Sequence, residues 1–387
     1  MSNMPGVATY EGQQTNIPRP FSYRGTTTLK NGMVLCFDSD SAAADHTATG
    51  TYTAAEQAEA ARQSWVENPS ASNYNNPAGI VVNAPSAGIT ANASGDTPVQ
   101  LLPFVPGGIM QESKPYVEIS VGIGDLLGVA PGRMYLSKWT CGPCLGICRT
   151  AATGTAAAPA VVQADLGRFT PTDEQMAGKV IRESIHAGNY DASAAGFTET
   201  AVSVGAGTSN FSVDATQDHI LATSAANDND GIETQRDLTP FNLTANDPCF
   251  GRFKFQLADV DETELWCGLA DTGTTLVTSG DDDRVGFHKV GTGTTLESIC
   301  EEGGTETDED LETAVADATD YECIFFWDGI GTVYFWVNGT SGGSSGATDI
   351  TANIPQTVGL GLSFGILNSA AGAETAKFYM AQAFQHN

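Results

Sequence analysis

At 387 residues the chain exceeds one ordinary domain, and two units of roughly 100–200 residues each are expected. A 41% apolar fraction is enough to build cores, while charged residues reach only 16%, with Gly, Ala, Thr and Ser in their place, which suits short strands and turns better than long helices. The 46 acidic against 17 basic residues give a net charge of −29, which repels nucleic acid and anionic lipid and sets DNA packaging, transcription and membrane binding aside.

The opening MSNMPGVATYEGQQTN has neither the basic nor the apolar region of a secretion signal, and no stretch nears 18 uninterrupted apolar residues. Eight cysteines in this length do not make a disulfide scaffold; they read as buried small hydrophobes of a protein made in a reducing cytoplasm. Charge is uneven: residues 1–195 hold 11 Lys/Arg and 16 Asp/Glu, residues 196–387 hold 6 and 30. The small, polar segment 191–210 lies between them and reads as a linker. The expected division is therefore 1–190, a linker at 191–210, and an acidic domain at 211–387.

In the first half, Thr53 with Glu56 three residues later forms a capping-box pattern ahead of an Ala/Glu/Gln run, predicting a short helix at about Ala54–Val66. Strands are predicted at 33–37, 79–84, 99–105, 116–122, 133–139, 161–169 and 178–187, separated by Gly and Pro. Strands at this density without alternating helices predict a small β-barrel or sandwich. The low-complexity run 150–160 reads as an exposed loop.

In the second half, YECIFFW (321–327) and TVYFWVNG (332–339) flank the turn DGIG and predict a hairpin with bulky residues on both faces, as in a two-layer sandwich. Further strands are predicted at 250–260, 264–270, 285–290, 358–367 and 376–385, with acidic loops at 281–283 and 306–312. The fold class is all-β: a small barrel or sandwich with one short helix, followed by a jelly-roll sandwich of about 180 residues.

Several motifs invite chemistry. Trp139-Thr-Cys141-Gly-Pro-Cys144 nears a thioredoxin-type redox site, but Thr140 intrudes and no helix follows. Cys148 adds a third thiol, yet no second ligand pair stands near; Cys36 and His46 are distant. Gly122-Ile-Gly124-Asp-Leu-Leu-Gly128 has dinucleotide-loop glycines but leads into a Pro-Gly turn and another strand, so it reads as turns. Asp259, Asp261 and Glu264 are spaced somewhat like a glycosidase carboxylate set. The acidic loops lack the spacing of a calcium loop. His46, His186, His219, His288 and His386 form no local triad, so no catalytic, cofactor or metal residue is assigned and no enzyme activity is expected.

Segments 75–90 (NNPAGIVVNAPSAGIT), 122–138 (GIGDLLGVAPGRMYLSK) and 167–192 (GRFTPTDEQMAGKVIRESIHAGNYDA) resemble phage capsid decoration, or cement, proteins. Segments 231–241, 251–271 and 325–339 resemble the concanavalin-like lectin and glucanase sandwiches appended to phage structural proteins. The resemblance implies a virion structural protein on the outer capsid surface, synthesised in the host cytoplasm. Its partner would be the major capsid protein and its state a homotrimer. A glycan-binding surface module, with Trp266, Trp327 and Trp336 as available indoles, is the alternative; a laminarinase-type hydrolase is a further one. Limited proteolysis is expected to cut first within 191–210 or 150–160, since small-residue loops are weak points; early cleavage inside 321–339 would contradict a sandwich core there.

Overall fold

The computed structural model describes residues 19–38, 65–70, 73–91, 97–104, 111–140, 142–171, 173–190, 196–202, 208–214, 218–272, 283–338, 340–341 and 349–386. The chain divides into two compact units, Met1–Lys179 and Val180–Asn387.

In the first unit, Arg19–Tyr23, Val34–Phe37, Trp65–Glu67, Pro77–Val82 and Thr97–Pro103 close into a five-stranded barrel. Alternation explains its filling. Along Thr97–Pro103, Val99 and Leu101 point inward while Pro98 and Gln100 face out. Tyr23, Leu35, Val66 and Val81 complete the plug. A second, five-stranded sheet follows, in the order Ser137–Lys138, Leu126–Gly128, Cys144–Cys148, Ala164–Phe169, Gln111–Ser113. The run 150–160 carries two short ladders, Ala152–Thr153 with Ser120–Val121 and Ala160–Val161 with Tyr116–Val117, around an exposed tip.

The helix expected at 54–66 is not observed where it can be checked. Trp65 and Val66 lie in a barrel strand, Val66 pairing with Tyr23 and Phe37, and the rest of that segment lies outside the described residues. Burial of Val66 in the barrel outweighs local helix propensity. The helix among the described residues is the single turn Asp173–Met176.

The second unit is a sandwich of a nine-stranded and a seven-stranded sheet. Running order in the larger sheet is Asn210–Asp214, His219–Thr223, Thr375–His386, Cys249–Leu257, Asp320–Trp327, Val333–Val337, Thr340–Ser341; Val180–Ile185 also pairs with Thr375–His386, and Asp349–Ile350 with Val333–Val337. The smaller sheet runs Phe197–Val202, Gly231–Arg236, Gly361–Asn368, Thr263–Ala270, Arg284–Lys289, Thr295–Glu302, Thr305–Ala314. The chain crosses repeatedly between sheets, which is the jelly-roll arrangement expected for this half. Pairings are antiparallel throughout, and the predicted 321–339 hairpin is present with Phe325 opposite Phe335.

Two boundaries differ from the sequence reading. Val180–Ile185 was expected in the N-terminal half, but its six residues pair with Ile185 opposite Ala381 through Val180 opposite His386. Residues 306–312, expected as an acidic loop, belong to the strand Thr305–Ala314, paired with Thr295–Glu302. Alternation there buries Leu311 and turns Glu306, Asp308 and Asp310 to solvent, a pattern that charge content alone conceals. Of the run 281–283, Asp283 is described: its carboxylate accepts a hydrogen bond from Gly303 N at 2.5 Å.

The sandwich core gathers Phe253, Phe255, Phe287, Phe325, Trp327 and Phe335 among others. Gly251 leaves room for it: a Cβ there would come within 2.2 Å of the Phe325 ring. Phe325→Ala is expected to cost about 3–5 kcal/mol, and urea unfolding of the full chain measures it. A loss below about 1 kcal/mol would mean the Phe325 site lies outside a close-packed core.

Candidate functional site

Leu265, Cys267 and Leu269 point into the sandwich, so Glu264, Trp266, Gly268 and Ala270 line the opposite face of the smaller sheet. Register carries this face across neighbouring strands. Trp266 stands opposite His288, and His288 opposite Glu297. Gly268 stands opposite Gly286, and Arg284 opposite Glu301. Glu297 and Glu301 in turn oppose Asp310 and Glu306. The outcome is a face of carboxylates interrupted by one histidine, one arginine and a glycine floor.

Glycines shape that floor. A Cβ on Gly268 would come within 2.7 Å of the Trp266 indole, and one on Gly286 within 3.0 Å of it. The ring therefore lies along the strands, its Nε1 donating to Ser363 Oγ at 2.9 Å. Arg284 sits 5.2 Å over the ring and binds Glu301 and Glu306, each at 2.8 Å. Trp266 is 0% exposed, so it offers no stacking surface. Trp327 is buried in the core, its Nε1 donating to Thr244 O at 3.2 Å. Trp336 is buried on the outer face of the larger sheet and stacks on Tyr334, with ring centres 6.0 Å apart. None of the three indoles singled out in the sequence is an open platform.

The accessible chemistry lies beside them. His288 Nε2 is 3.0 Å from Glu264 Oε1, both only partly buried. Burial raises the Glu297 carboxyl above its ordinary range; His288 opposes this, while Asp308, Glu306 and Asp310 add to it. The face can accept hydrogen bonds from a hydroxyl-rich or cationic group. The sequence reading noticed Glu264 but missed His288 and Glu297, because their adjacency arises from strand register.

Asp259 and Asp261 are not on this face with Glu264. They sit in the turn before Thr263–Ala270, where Asp259 Oδ1 accepts from Asp261 N at 3.0 Å. The three carboxylates of the glycosidase-like spacing are therefore not aligned on one strand.

The thiols are sealed. Cys144 and Cys148 lie on one strand and are buried, and Cys36, Cys249, Cys267, Cys300 and Cys323 are buried too. Burial pushes the Cys144 thiol up to about 12, with backbone hydrogen bonding at Gly146 and Leu127 opposing it. Burial also raises Cys36, with Glu67 adding, and raises Cys148. Cys141 and His46 lie outside the described residues. Gly122–Gly128 forms the expected turn: Gly122 N donates to Asp125 Oδ2 at 2.7 Å, and Gly124 takes φ of +86°, so no helix N-terminus faces a phosphate. Among the described residues, no three His, Cys, Asp or Glu side chains gather closely enough to hold a metal ion, and no helix is long and apolar enough to cross a membrane.

No known protein family matches the sequence, and no curated protein matches it. Solved structures to which the chain is similar include a protein of unknown function from Shewanella oneidensis MR-1, at 12% identity and a TM-score of 0.39, covering 56% of this chain and 90% of that one. An endo-1,3-beta-glucanase from Streptomyces sioyaensis matches at 11% identity and a TM-score of 0.37, covering 49% and 89%. Peanut lectin matches at 11% identity and a TM-score of 0.37, covering 54% and 98%.

Two measurements test the site. Cys144, Cys267 and Cys323 are expected to resist iodoacetamide in the native protein and react once it is denatured; peptide mass spectrometry reads the difference. The raised Glu297 carboxyl means the folded state holds its proton more tightly than the unfolded chain. Its contribution to stability is thus present at pH below about 4.3, the ordinary value, and is lost as pH rises through the raised one. Glu297→Gln is accordingly expected to raise Tm at pH 7 and to leave it unchanged at pH 4.

Proposed function

We propose that the chain is a non-catalytic virion protein, seated on the capsid through its first unit and presenting the sandwich outward. The observation that supports this is the charge of the two units. Residues 1–179 hold 10 Lys/Arg and 14 Asp/Glu, whereas residues 180–387 hold 7 and 32. Docking onto a shell desolvates whatever charge it covers, and the nearly neutral unit incurs least of that cost. The acidic unit keeps its hydration and holds coated particles apart. Stabilisation follows from mass action, since a ligand of the assembled shell favours that state, and a homotrimer suits three-fold positions.

The decoration-protein resemblance now rests on two segments of the first unit. Segment 75–90 holds the barrel strand Pro77–Val82, and segment 122–138 holds the pair Leu126–Gly128 and Ser137–Lys138. Segment 167–192 spans the division at Lys179 and gives its strand to the sandwich.

The test is co-sedimentation of the full chain, of residues 1–179 and of residues 180–387 with undecorated capsids of the virus that encodes it. Cutting at 179 keeps the Val180–Ile185 strand with its partner. The full chain and residues 1–179 are expected to pellet with capsids and raise their melting temperature, also at high salt; residues 180–387 are expected to stay in solution. Binding by residues 180–387 alone reverses the roles, and no binding by any of the three overturns the reading.

A second reading is that the sandwich binds a saccharide. It is favoured by Glu264, His288 and Glu297 lying on three neighbouring strands of one face, where carboxylates can accept hydrogen bonds from sugar hydroxyls. A glycan array probed with the full chain and with His288→Ala tests it: binding that the variant loses supports this reading, and absence of binding leaves the scaffold role alone.

A further inference from the structure

The second unit holds 7 Lys and Arg against 32 Asp and Glu, and four of the seven stand on one surface. Along Cys249–Leu257, Phe253 and Phe255 face the core, so Arg252, Lys254 and Gln256 take the outer side of the larger sheet. Register sets Gln382 opposite Arg252 and Lys377 opposite Gln256 on Thr375–His386, and Arg182 of Val180–Ile185 opposite Phe384. Among the described residues, none of these three adjoining strands turns an Asp or Glu to that side. Carboxylates reach it from the next strand: Glu322 binds Arg252, and Asp320 binds Lys254 at 3.1 Å. Lys377 donates instead to Gln256 Oε1 at 2.8 Å, and the exposed Arg182 lies 5.4 Å over the Phe384 ring. The unit's other cations, Arg236, Arg284 and Lys289, are held by Glu183, by Glu301 with Glu306, and by the Thr263 and Gly291 carbonyls.

The cations form a row. Residues two apart on a strand lie about 7 Å from one another, so Arg252, Lys254 and then Lys377, beside Gln256, follow at that step. A matching row of opposite sign stands on the same molecule. Glu306, Asp308 and Asp310 repeat at the same step and are exposed on the outer side of Thr305–Ala314. That strand ends the smaller sheet, so its row runs along a rim and can be laid against a flat surface. Arg284 holds Glu306 at 2.8 Å, whereas Asp310 stands opposite another carboxylate, Glu297. The two rows lie on opposite outer faces of one sandwich, so they meet only between copies.

We propose that a second copy of this chain docks on the outer face of the larger sheet, its Glu306, Asp308 and Asp310 row laid along the Arg252, Lys254 and Lys377 row of the first. Charge complementarity at equal spacing selects this occupant. An arginine offers five donors and a lysine three, so Glu322 and Asp320 leave Arg252 and Lys254 able to take a further carboxylate. The net charge of −29 opposes approach at long range, but at about 0.15 M salt such fields decay over about 8 Å, and the matched rows act at contact. Side chains make the contact and no strand is added. Because the two surfaces differ, copies join head to tail, closing into a ring where the rotation between them permits. The contact holds whether or not the first unit seats on a shell.

Sedimentation velocity of the full chain tests it. The chain is expected to associate as its concentration rises at about 0.15 M salt and to sediment as a monomer at about 1 M, where screening acts within about 3 Å. Lys377→Glu and Asp308→Lys are each expected to weaken association roughly tenfold, and the double variant carrying both to restore it, since the two reversals face one another across the contact. Should Lys377→Glu fail to fold, Lys377→Gln, which keeps a partner for Gln256, is expected to weaken association severalfold. A monomer at every concentration, association that survives high salt, single reversals without effect, or a double variant that stays as weak as the singles would each overturn the proposal.

Discussion

Phe287 of the smaller sheet meets Phe253 and Phe335 of the larger one, at ring-centre distances of 6.4 and 5.5 Å. Phe325 stacks on Phe253 at 6.2 Å and so extends the contact within the larger sheet. Aromatic pairs of this kind add about 0.5–1.5 kcal/mol each beyond the area they bury. Everything else in the sandwich depends on this seam. It fixes which residues of each strand face inward, and thereby delivers Glu264, His288 and Glu297 to one outer face. It also sets the separation at which the loops of the two sheets can meet.

The acidic residues are arranged around the seam with structural logic. Thr305–Ala314 is the last strand of the smaller sheet, and its Glu306, Asp308 and Asp310 turn outward. A charged edge discourages another chain from adding a strand. One step inward, Arg284 and Glu301 are buried together, and such a pair is more telling of specificity than of stability. Charge is therefore dense where it repels and paired where it is enclosed.

Much of the sandwich was readable from the sequence. Thr263–Ala270 and the 321–339 hairpin carry apolar runs that burial on both faces requires, while Cys249–Leu257 alternates buried Phe253, Phe255 and Leu257 with half-buried Arg252, Lys254 and Gln256, and Arg284–Lys289 sets Val285 and Phe287 inward. Phe197–Val202 and Thr305–Ala314 were missed because edge strands are polar, and polarity reads as loop. The Ala54–Val66 helix failed at Trp65 and Val66, where long-range pairing prevailed over local propensity. The site was less legible than the fold. Glu264 carried a spacing signal, whereas His288 and Glu297 become neighbours only through register, which a single sequence does not encode locally.

The position of Thr375–His386 bears on how the protein comes to be folded. It runs through the interior of the larger sheet, against Cys249–Leu257 and His219–Thr223, and against Val180–Ile185 about 200 residues earlier. Until that segment leaves the ribosome, those three earlier strands lack the one they share, and their apolar faces stay open to water. Closing such long loops is entropically slow. Nascent sandwiches are thus open to pairing with one another through the vacant lane, so the yield of native protein should depend on how quickly synthesis runs from Cys249 to His386 and on how crowded neighbouring ribosomes are with the same message.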